Sequence, residues 1–554
     1  MRDAFSSDFR LLTTEVLHAA YEAKDLLTKR DPAKSRALYY RVSYITTQVA
    51  SLQKASMDLA LQKPAGQRES LYLQGLSSVA SRLERISDLM LNLDRQAGYL
   101  NDLNFLESYN LAEFFQHIFQ GLEKIHPALV NRDVNLAVRL GQVEEKLDAL
   151  YAARFSRLIK EFGPEVSAGD LVTVLMIVHY LERIGDMLLE IGEKIIYIIM
   201  GEKIKLEQYK ALGEGLKAAG AASMEPASLD FHSIWGGRSG CRIGVVGKPD
   251  VNGLSQVGQT VVFKHGPASK LTRERENLEL WDEIRPGLTP KVKAFIPAQA
   301  GTEAALMLEF IPSRNLQAIF MEKASDSAFG GLRQAFQTMI DLWVESRRDI
   351  TAKSDFCLQA QERLPEARTV YPKLIDHYGS VGQWPLRSVP GLLEEAKKLE
   401  ATLAAPFKVR IHGDFNLSNL LYDPEAKKLN FVDLYRSREA DYIQDVSVML
   451  LSIIRLPVVS YEARKKLCQA ALVGEGIARR FASSVGDETF EARLAFGLAR
   501  SFITSVRFVL EEKLAALFVA RARYLWERLL DHGRRGGQWA DFHYSLDIFD
   551  INLD

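Results

Sequence analysis

Through residues 1 to about 212, apolar side chains return every three or four positions and helix breakers are scarce, so the pattern predicts long amphipathic helices. The breaks fall at Asp31-Pro32, at Pro64-Ala65-Gly66, and at Gly163-Pro164 with Ala168-Gly169-Asp170. In the helix starting near Asp170 the apolar stripe runs through Val172, Leu175, Val178, Leu181, Ile184, Leu188, Ile191 and Ile195. Its other faces are also largely apolar, which places it at the centre of a bundle. Residues 213–231 (GEGLKAAGAASMEPASLDF) are small and Gly/Ala-rich with Pro226, and read as an interdomain linker. Beyond them the spacing shortens to β-type runs at Ile234-Trp235, 242–247, 260–264 and 305–310. Helical spacing resumes from about residue 328, interrupted by one strand-turn-strand element at 409–411 and 429–432. The expected organisation is multidomain: an all-α bundle over 1–212, a linker over 213–231, and an α+β bilobal domain over 232–554, small β-rich lobe first.

Charge and cysteine content narrow the function classes. The 554 residues carry 70 Lys+Arg against 71 Asp+Glu, a net charge of −1. No basic excess is present to drive nucleic-acid binding. Cys241, Cys357 and Cys468 are odd in number, far apart and form no CxxC, which points to a reducing compartment. Leu171 to Val178 and Ile195 to Met200 are the most apolar runs, and His179, Glu182, Arg183, Asp186, Glu190, Glu193 and Lys194 separate them. Neither run approaches the roughly 18–20 apolar residues a membrane span needs. With no apolar run behind Met1-Arg2-Asp3-Ala4-Phe5, the expected location is cytoplasmic.

A short repeat sits in the helical half. Leu83-Glu84-Arg85-Ile86-Ser87-Asp88 returns 98 residues later as Leu181-Glu182-Arg183-Ile184-Gly185-Asp186, matching at five of six positions. Glu182, Asp186 and Glu193 fall within about 40° of one another around their helix. Three carboxylates on an otherwise apolar helix are either paired or bind a cation. On this repeat, residues 8–212 resemble the PhoU family of phosphate-signalling regulators. The resemblance implies two tandem three-helix repeats whose third helices hold metal clusters together with an acidic pair on the preceding helix. In the second repeat that pair is Glu144 and Asp148, facing Glu182 and Asp186. In the first, Val42-Ser43-Tyr44-Ile45-Thr46 lacks both acids. The implied metal is a transition metal (Fe, Mn or Zn) at the second site only, with salt bridges such as Glu182-Arg183 as the competing reading. The implied partner is a phosphate transporter or a sensor kinase, and a homodimer is compatible with the family.

The strongest motif is His412-Gly413-Asp414-Phe415-Asn416-Leu417-Ser418-Asn419, followed by Phe431-Val432-Asp433. Phosphoryl transfer needs one carboxylate to orient the attacking hydroxyl and accept its proton. It also needs hard oxygen donors for magnesium at the phosphates. Asp414 fits the base, and Asn419 and Asp433 fit the Mg²⁺ ligands. Upstream, Gly236-Gly237-Arg238-Ser239-Gly240 lies between two β-runs, where a flexible loop can turn backbone N–H groups toward phosphate. Lys264 ends the next β-run as a phosphate-pairing lysine should. Leu271, Glu274, Leu278 and Trp281 form a helical stripe that turns Glu274 toward Lys264, with Glu276 as the competing choice. Backbone groups of Glu309 and Ile311 are expected at an adenine edge.

These residues resemble the aminoglycoside phosphotransferase family, which shares the protein-kinase fold; the resemblance covers about 232–550. It implies that ATP phosphates meet Lys264 and the loop of Gly236, Gly237, Ser239 and Gly240, that Glu274 pairs with Lys264, and that Asp414 is the base. It implies too that Asn419 and Asp433 hold Mg²⁺ and that Asp445 braces the catalytic loop. The sequence departs from the family in an irregular glycine loop, an insertion at 247–258, and Leu434-Tyr435-Arg436-Ser437-Arg438 after Asp433 in place of a glycine. Arg436 and Arg438 either contact an acidic or phosphorylated acceptor or pair with Glu439 or Asp441. His412 reads as a packed loop residue. The expected function is an ATP/Mg²⁺-dependent phosphotransferase acting on a hydroxyl of a small molecule or glycan, fused to a PhoU-like regulatory module. The alternative is a nucleotide-binding signalling scaffold, a pseudokinase that binds a phosphate transporter or sensor kinase.

Overall fold

The computed structural model describes residues 2–550 except 63–66, 164–165, 203, 221–229, 234–240, 248–259, 298–301, 323–325, 377–379, 382–383, 386, 459 and 510. The chain divides into two compact units, Met1–His265 with Ala294–Met307, and Gly266–Lys293 with Leu308–Asp554.

In the first unit the periodic apolar stripes become α1 (Arg2–Thr28), α2 (Pro32–Gln62), α3 (Gln67–Ala97), α4 (Leu111–Val130), α5 (Val134–Glu161) and α6 (Ala168–Met200). Asp133 and Ser167 cap α5 and α6, each side chain accepting a backbone N–H of its helix's first turn. α1–α3 and α4–α6 are the two three-helix repeats, and α3 packs on α6 between them. Both copies of the hexapeptide lie on these inner helices, with Leu83, Ile86, Leu181 and Ile184 fully buried. α6 is the bundle's central helix, as its many apolar faces predict. Gly185 lets α5 come close: a Cβ there would sit 3.4 Å from the Glu144 Cα.

A seventh helix, α7 (Leu206–Ala218), follows; its first N–H is received by Glu193 Oε1 at 3.2 Å, which accounts for the third carboxylate of the α6 stripe. Residues 213–218 of the expected linker are therefore the last turns of α7. The five-stranded sheet has the order β1 (Asp230–Ser233), β2 (Arg242–Gly247), β3 (Val261–Pro267), β5 (Glu303–Glu309), β4 (Val292–Ile296). β2 pairs antiparallel with both β1 and β3. The run expected at Ile234-Trp235 and the insertion at 247–258, beyond Gly247, lie outside the described residues. Val246, Phe263, Ile296, Ala305 and Met307 share one apolar core with Leu212 and Leu216 of α7. A Cβ on Gly215 would lie 2.4 Å from the Met307 sulfur, so glycine gives the strand its room.

The second unit begins with α8 (Ala268–Ile284), which buries the expected stripe Leu271, Glu274, Leu278 and Trp281. Its other helices are α9 (Leu316–Glu322), α10 (Asp326–Glu345), α11 (Phe356–Val370), α12 (Pro372–Asp376), α13 (Val389–Glu400), α14 (Ile443–Ile454), α15 (Tyr461–Ser484), α16 (Phe490–Val506) and α17 (Glu512–Arg534). The strand-turn-strand element differs from the expected one. Val409–Ile411 pairs with Arg438–Ala440, while Leu420–Asp423 pairs with Lys428–Phe431. The second pair closes over a short turn whose Asp423 accepts two backbone N–H groups, from Glu425 and Ala426, a local signal the apolar pattern does not carry. The catalytic-type motif thus sits on the connection between two separate antiparallel pairs. Among the described residues no helix is long and apolar enough to cross a membrane.

Candidate active site

Residues 412–419 leave the strand Val409–Ile411 as a tightly held loop. His412 and Gly413 donate their backbone N–H groups to the two oxygens of Asp445 at the start of α14, both at 2.8 Å. Asp445 is fully buried; burial pushes its carboxyl up to about 7, opposed by those two N–H donors. Gly413 has φ +81, and a Cβ there would meet the Arg436 carbonyl oxygen at 2.3 Å, so the loop requires glycine at this point. His412 is buried against Trp281, Phe415 and Phe431, and burial holds its imidazole below the usual range and neutral.

Asp414 emerges from this loop half-buried. Asn416 Nδ2 donates to Asp414 Oδ1 at 3.1 Å, Asn419 Nδ2 donates to the Asp414 carbonyl at 3.0 Å, and Arg436 Nη1 lies 3.5 Å from Asp414 Oδ2. The Asn419 amide is thereby oriented, its Oδ1 receiving, among the described residues, only a long 3.4 Å contact from the Ser418 hydroxyl. Val432 N–H donates to the Asn419 carbonyl at 3.0 Å and ties the loop to the end of the strand Lys428–Phe431. Asp433 follows in the left-handed region, φ +66, an unusual conformation for a residue other than glycine and one that clusters at functional sites. α8 fixes the segment beyond: Asn277 Nδ2 donates to the Leu434 carbonyl at 2.8 Å, and Trp281 Nε1 to Ser437 Oγ at 2.9 Å. The structure thus brings Asp414, Asn419 and Asp433 onto one braced framework. The donor set fits a divalent cation, with a carboxylate and an amide carbonyl as hard oxygen ligands.

The remaining nucleotide positions divide between the units. Lys264 is buried on β3 in the first, opposite Ile243 in the β2 register, and Glu274 is buried on α8 in the second. Glu276, the competing choice, is exposed. At the end of β5 the Glu309 N–H donates to the Lys291 carbonyl at 2.9 Å and the Ile311 carbonyl accepts from Ser313 at 2.8 Å. The other backbone groups of these two residues, the Glu309 carbonyl and the Ile311 N–H, are the candidates for an adenine edge. Gly236, Gly237, Ser239 and Gly240 lie outside the described residues. Arg436 and Arg438 do not pair with Glu439 or Asp441: Arg436 faces Asp414, and Arg438 Nη2 lies 3.6 Å from Asp355. Glu439 instead meets Arg348 and Arg410, and Asp441 meets the buried Arg493.

In the helical unit, Glu144, Asp148, Glu182 and Asp186 share one electrostatic neighbourhood. Burial, then Asp148 and Asp186, push Glu144 up to about 7; burial and Asp186 raise Asp148 and Glu182. Arg183 holds Asp186 at 2.6 Å, and His179 Nδ1 lies 3.1 Å from Glu182 Oε2, within ion-pair range though not aligned for a hydrogen bond. Among the described residues, no three His, Cys, Asp or Glu side chains are grouped as metal ligands. The expected transition metal therefore has no support among the described residues, where Asp186 is already paired with Arg183.

Loop, brace and hard-oxygen pair are joined in one chain to a tandem three-helix bundle. Comparison with known proteins gives the same division. Residues 351–481 match the model of the phosphotransferase enzyme family, and residues 111–195 match the PhoU domain model. The N-terminal half is 25% identical over 202 residues to a phosphate-specific transport system accessory protein PhoU homolog of Methanothermobacter thermautotrophicus, covering 35% of this chain and 91% of that one. A homolog from Xylella fastidiosa is 24% identical over 210 residues, covering 36% and 89%. Among solved structures, PhoU from Streptococcus pneumoniae aligns with a TM-score of 0.34 at 21% identity, over 36% of this chain and 95% of that chain. A thermostable aminoglycoside phosphotransferase aligns with a TM-score of 0.36 at 14% identity, over 59% and 99%. The N-terminal half resembles the PhoU family and the C-terminal half the phosphotransferases.

Sequence reasoning missed the contact of Arg436 with Asp414, the role of Asn416, and the buried Arg493 and Arg500. Asn416 stood inside the motif and could have been found from its side chain's habit of bonding its own backbone neighbours. The two arginines sit in α16 with no local signal.

Proposed function

We propose that the protein is an ATP- and Mg²⁺-dependent phosphotransferase acting on a hydroxyl, carrying a PhoU-like module that links it to phosphate homeostasis. The observation that carries this reading is Asp414 held on a loop whose two preceding amides are fixed by Asp445, with Asn419 and Asp433 framed beside it. Asp414 orients the acceptor hydroxyl and receives its proton. Asn419 and Asp433 would hold Mg²⁺, which when bound neutralises phosphate charge. Lys264 contributes to phosphate binding, Glu274 to positioning that lysine, and Glu309 and Ile311 to the adenine edge through the groups named above. Arg436 Nη1, 3.5 Å from Asp414 Oδ2, faces the carboxylate and helps to aim it. The PhoU-like module is read as the regulatory part by its likeness to transport-system accessory proteins, with a phosphate transporter or sensor kinase as partner.

The test is Mg-ATP turnover by the purified full chain against Asp414→Asn. Slow ATP hydrolysis or autophosphorylation that falls about 10³-fold or more in the variant, with nucleotide binding retained, is the expected result. Equal turnover in both proteins would exclude Asp414 as the base, and absence of nucleotide binding would overturn the enzyme reading.

A further inference from the structure

Asp414 opens into a cavity of about 780 Å³ built entirely from the second unit. Seven arginines line it, against four carboxylates: Glu276, Asp355, Glu362 and Asp414. Two of these arginines are matched inside the cavity, Arg436 with Asp414 and Arg438 with Asp355. Arg363 and Arg507 both turn to Glu366, outside the lining.

Arg500 differs from the rest. It is buried on α16, 7% exposed, where most residues are apolar or small. Its Nη2 donates to Gln444 Oε1 and to Ser447 Oγ, both at 3.1 Å, and its Nε is buried with no hydrogen-bond partner among the described residues. Both acceptors are neutral, and among the described residues no carboxylate stands within ion-pair distance of this guanidinium. The Phe356 ring at 5.5 Å offsets only part of the charge. Burial lowers the guanidinium to about 10, so it remains a cation at neutral pH. A desolvated, unmatched guanidinium is destabilising unless an anion completes it. Its planar fork suits the paired oxygens of phosphate or carboxylate. Gln444 also connects it to the catalytic-type loop, donating Nε2 to the Gly413 carbonyl at 3.5 Å, one residue from Asp414.

We propose that the acceptor is a small hydroxyl compound bearing a phosphate or carboxylate group, with that anionic group seated on Arg500 and its hydroxyl turned to Asp414. The proposal rests on the phosphotransferase reading and specifies its substrate. In the transfer, the acceptor oxygen forms a bond to the γ-phosphorus as the β–γ bridging P–O bond breaks. ADP leaves with the bridging electron pair, and the hydroxyl proton passes to the Asp414 carboxylate. Arg438, exposed, adds to the attraction, whereas a polyamine would meet a lining in which arginines outnumber carboxylates.

The experiment uses the full chain with Mg-ATP and a panel matched in size: glucose and inositol as neutral members, glucose 6-phosphate, inositol 1-phosphate and gluconate as anionic ones, glucosamine and kanamycin as cationic ones. ADP release and product mass are read for each, and calorimetric binding is measured to Asp414→Asn. Anionic members are expected to bind and accept phosphate, and Arg500→Gln to raise their KM about 10- to 100-fold with the KM for ATP unchanged. Arg438→Gln, on an exposed side chain, is expected to raise the same KM by a few-fold and serves where Arg500→Gln fails to fold. Phosphorylation confined to neutral or cationic members would overturn the proposal and leave the phosphotransferase reading standing. Anion binding without transfer to any member would uphold the anion site and overturn that reading instead. No anion binding, or anion binding unchanged in both arginine variants, would overturn the proposal.

Discussion

Gly413→Ala tests the catalytic-type loop at its tightest point. Gly413 lies at φ +81, where an L-residue costs about 1–2 kcal/mol in backbone strain. The new methyl would lie 2.3 Å from the Arg436 carbonyl oxygen, 2.7 Å from its carbon and 2.9 Å from its Cβ. None of these atoms is the free end of a flexible side chain. The segment cannot retreat cheaply, because Ser437 Oγ donates to the Ile411 carbonyl at 2.7 Å and accepts from Trp281 at 2.9 Å. The loop must move instead, and the Gly413 N–H leaves Asp445. Losing that charge-assisted hydrogen bond adds about 1.5–3 kcal/mol, for a total of about 2.5–5 kcal/mol. Five of the six tryptophans (Trp281, Trp343, Trp384, Trp526 and Trp539) belong to the second unit, so urea unfolding followed by fluorescence reports this half. Turnover with Mg-ATP should fall together with the unfolding midpoint, since the displaced loop carries Asp414 away from Arg436. An alanine variant with unfolding free energy within about 0.5 kcal/mol of wild type and full turnover would refute the reasoning.

Two other perturbations probe the two halves separately. Arg493 is fully buried between Asp441 and Asp487, with Nε donating to Thr489 Oγ1 at 3.0 Å; Arg493→Met strands two buried carboxylates and should cost about 3–5 kcal/mol in the same urea assay, while a loss under about 1 kcal/mol would mean the network carries little. In the helical half, Glu144 titrates near 7 when folded and near 4.5 when unfolded, so the folded state holds an extra proton between these values and loses stability as pH rises through them. Glu144→Gln should therefore raise the calorimetric melting temperature more at pH 8 than at pH 5, and an equal shift at both would contradict the assigned cause.

Much of this architecture was readable because the physics is local. The α8 stripe with Glu274, the α6 stripe from Val178 onward, and the strands Arg242–Gly247 and Val409–Ile411 follow from apolar spacing, while Val172 at the start of the expected α6 stripe is exposed instead and Leu175 is half-buried. The loop 412–419 was readable because its side chains bond within a few residues of themselves. What escaped was non-local. Nothing near Arg493 in sequence announces Asp441, 52 positions away, and nothing near Arg500 announces Gln444, 56 away. The partner of Val409–Ile411 escaped for the same reason: Arg438–Ala440 lies beyond an intervening hairpin that the apolar pattern merges with it.

The same limit governs the boundary between the halves. Small residues and Pro226 mark 213–231 as linker by composition, but composition cannot say which apolar faces need cover. A five-stranded sheet has a face to bury, and here α7 covers it, with Leu212 and Leu216 entering the core that holds Val246, Phe263, Ile296, Ala305 and Met307. Arg242 Nη1 adds a 3.1 Å hydrogen bond to Gln208 Oε1, the same oxygen that receives the Lys205 N–H at the helix start. Cutting after residue 212 would divide α7 and expose that face to water, at roughly 25 cal/mol for each Å² uncovered. Loss of turnover in such a truncated protein would report an uncovered sheet as readily as a missing regulator. Surface substitutions on α1–α6, which leave α7 and its core intact, are the perturbation that separates regulation by the helical module from simple support of the strand that carries Lys264.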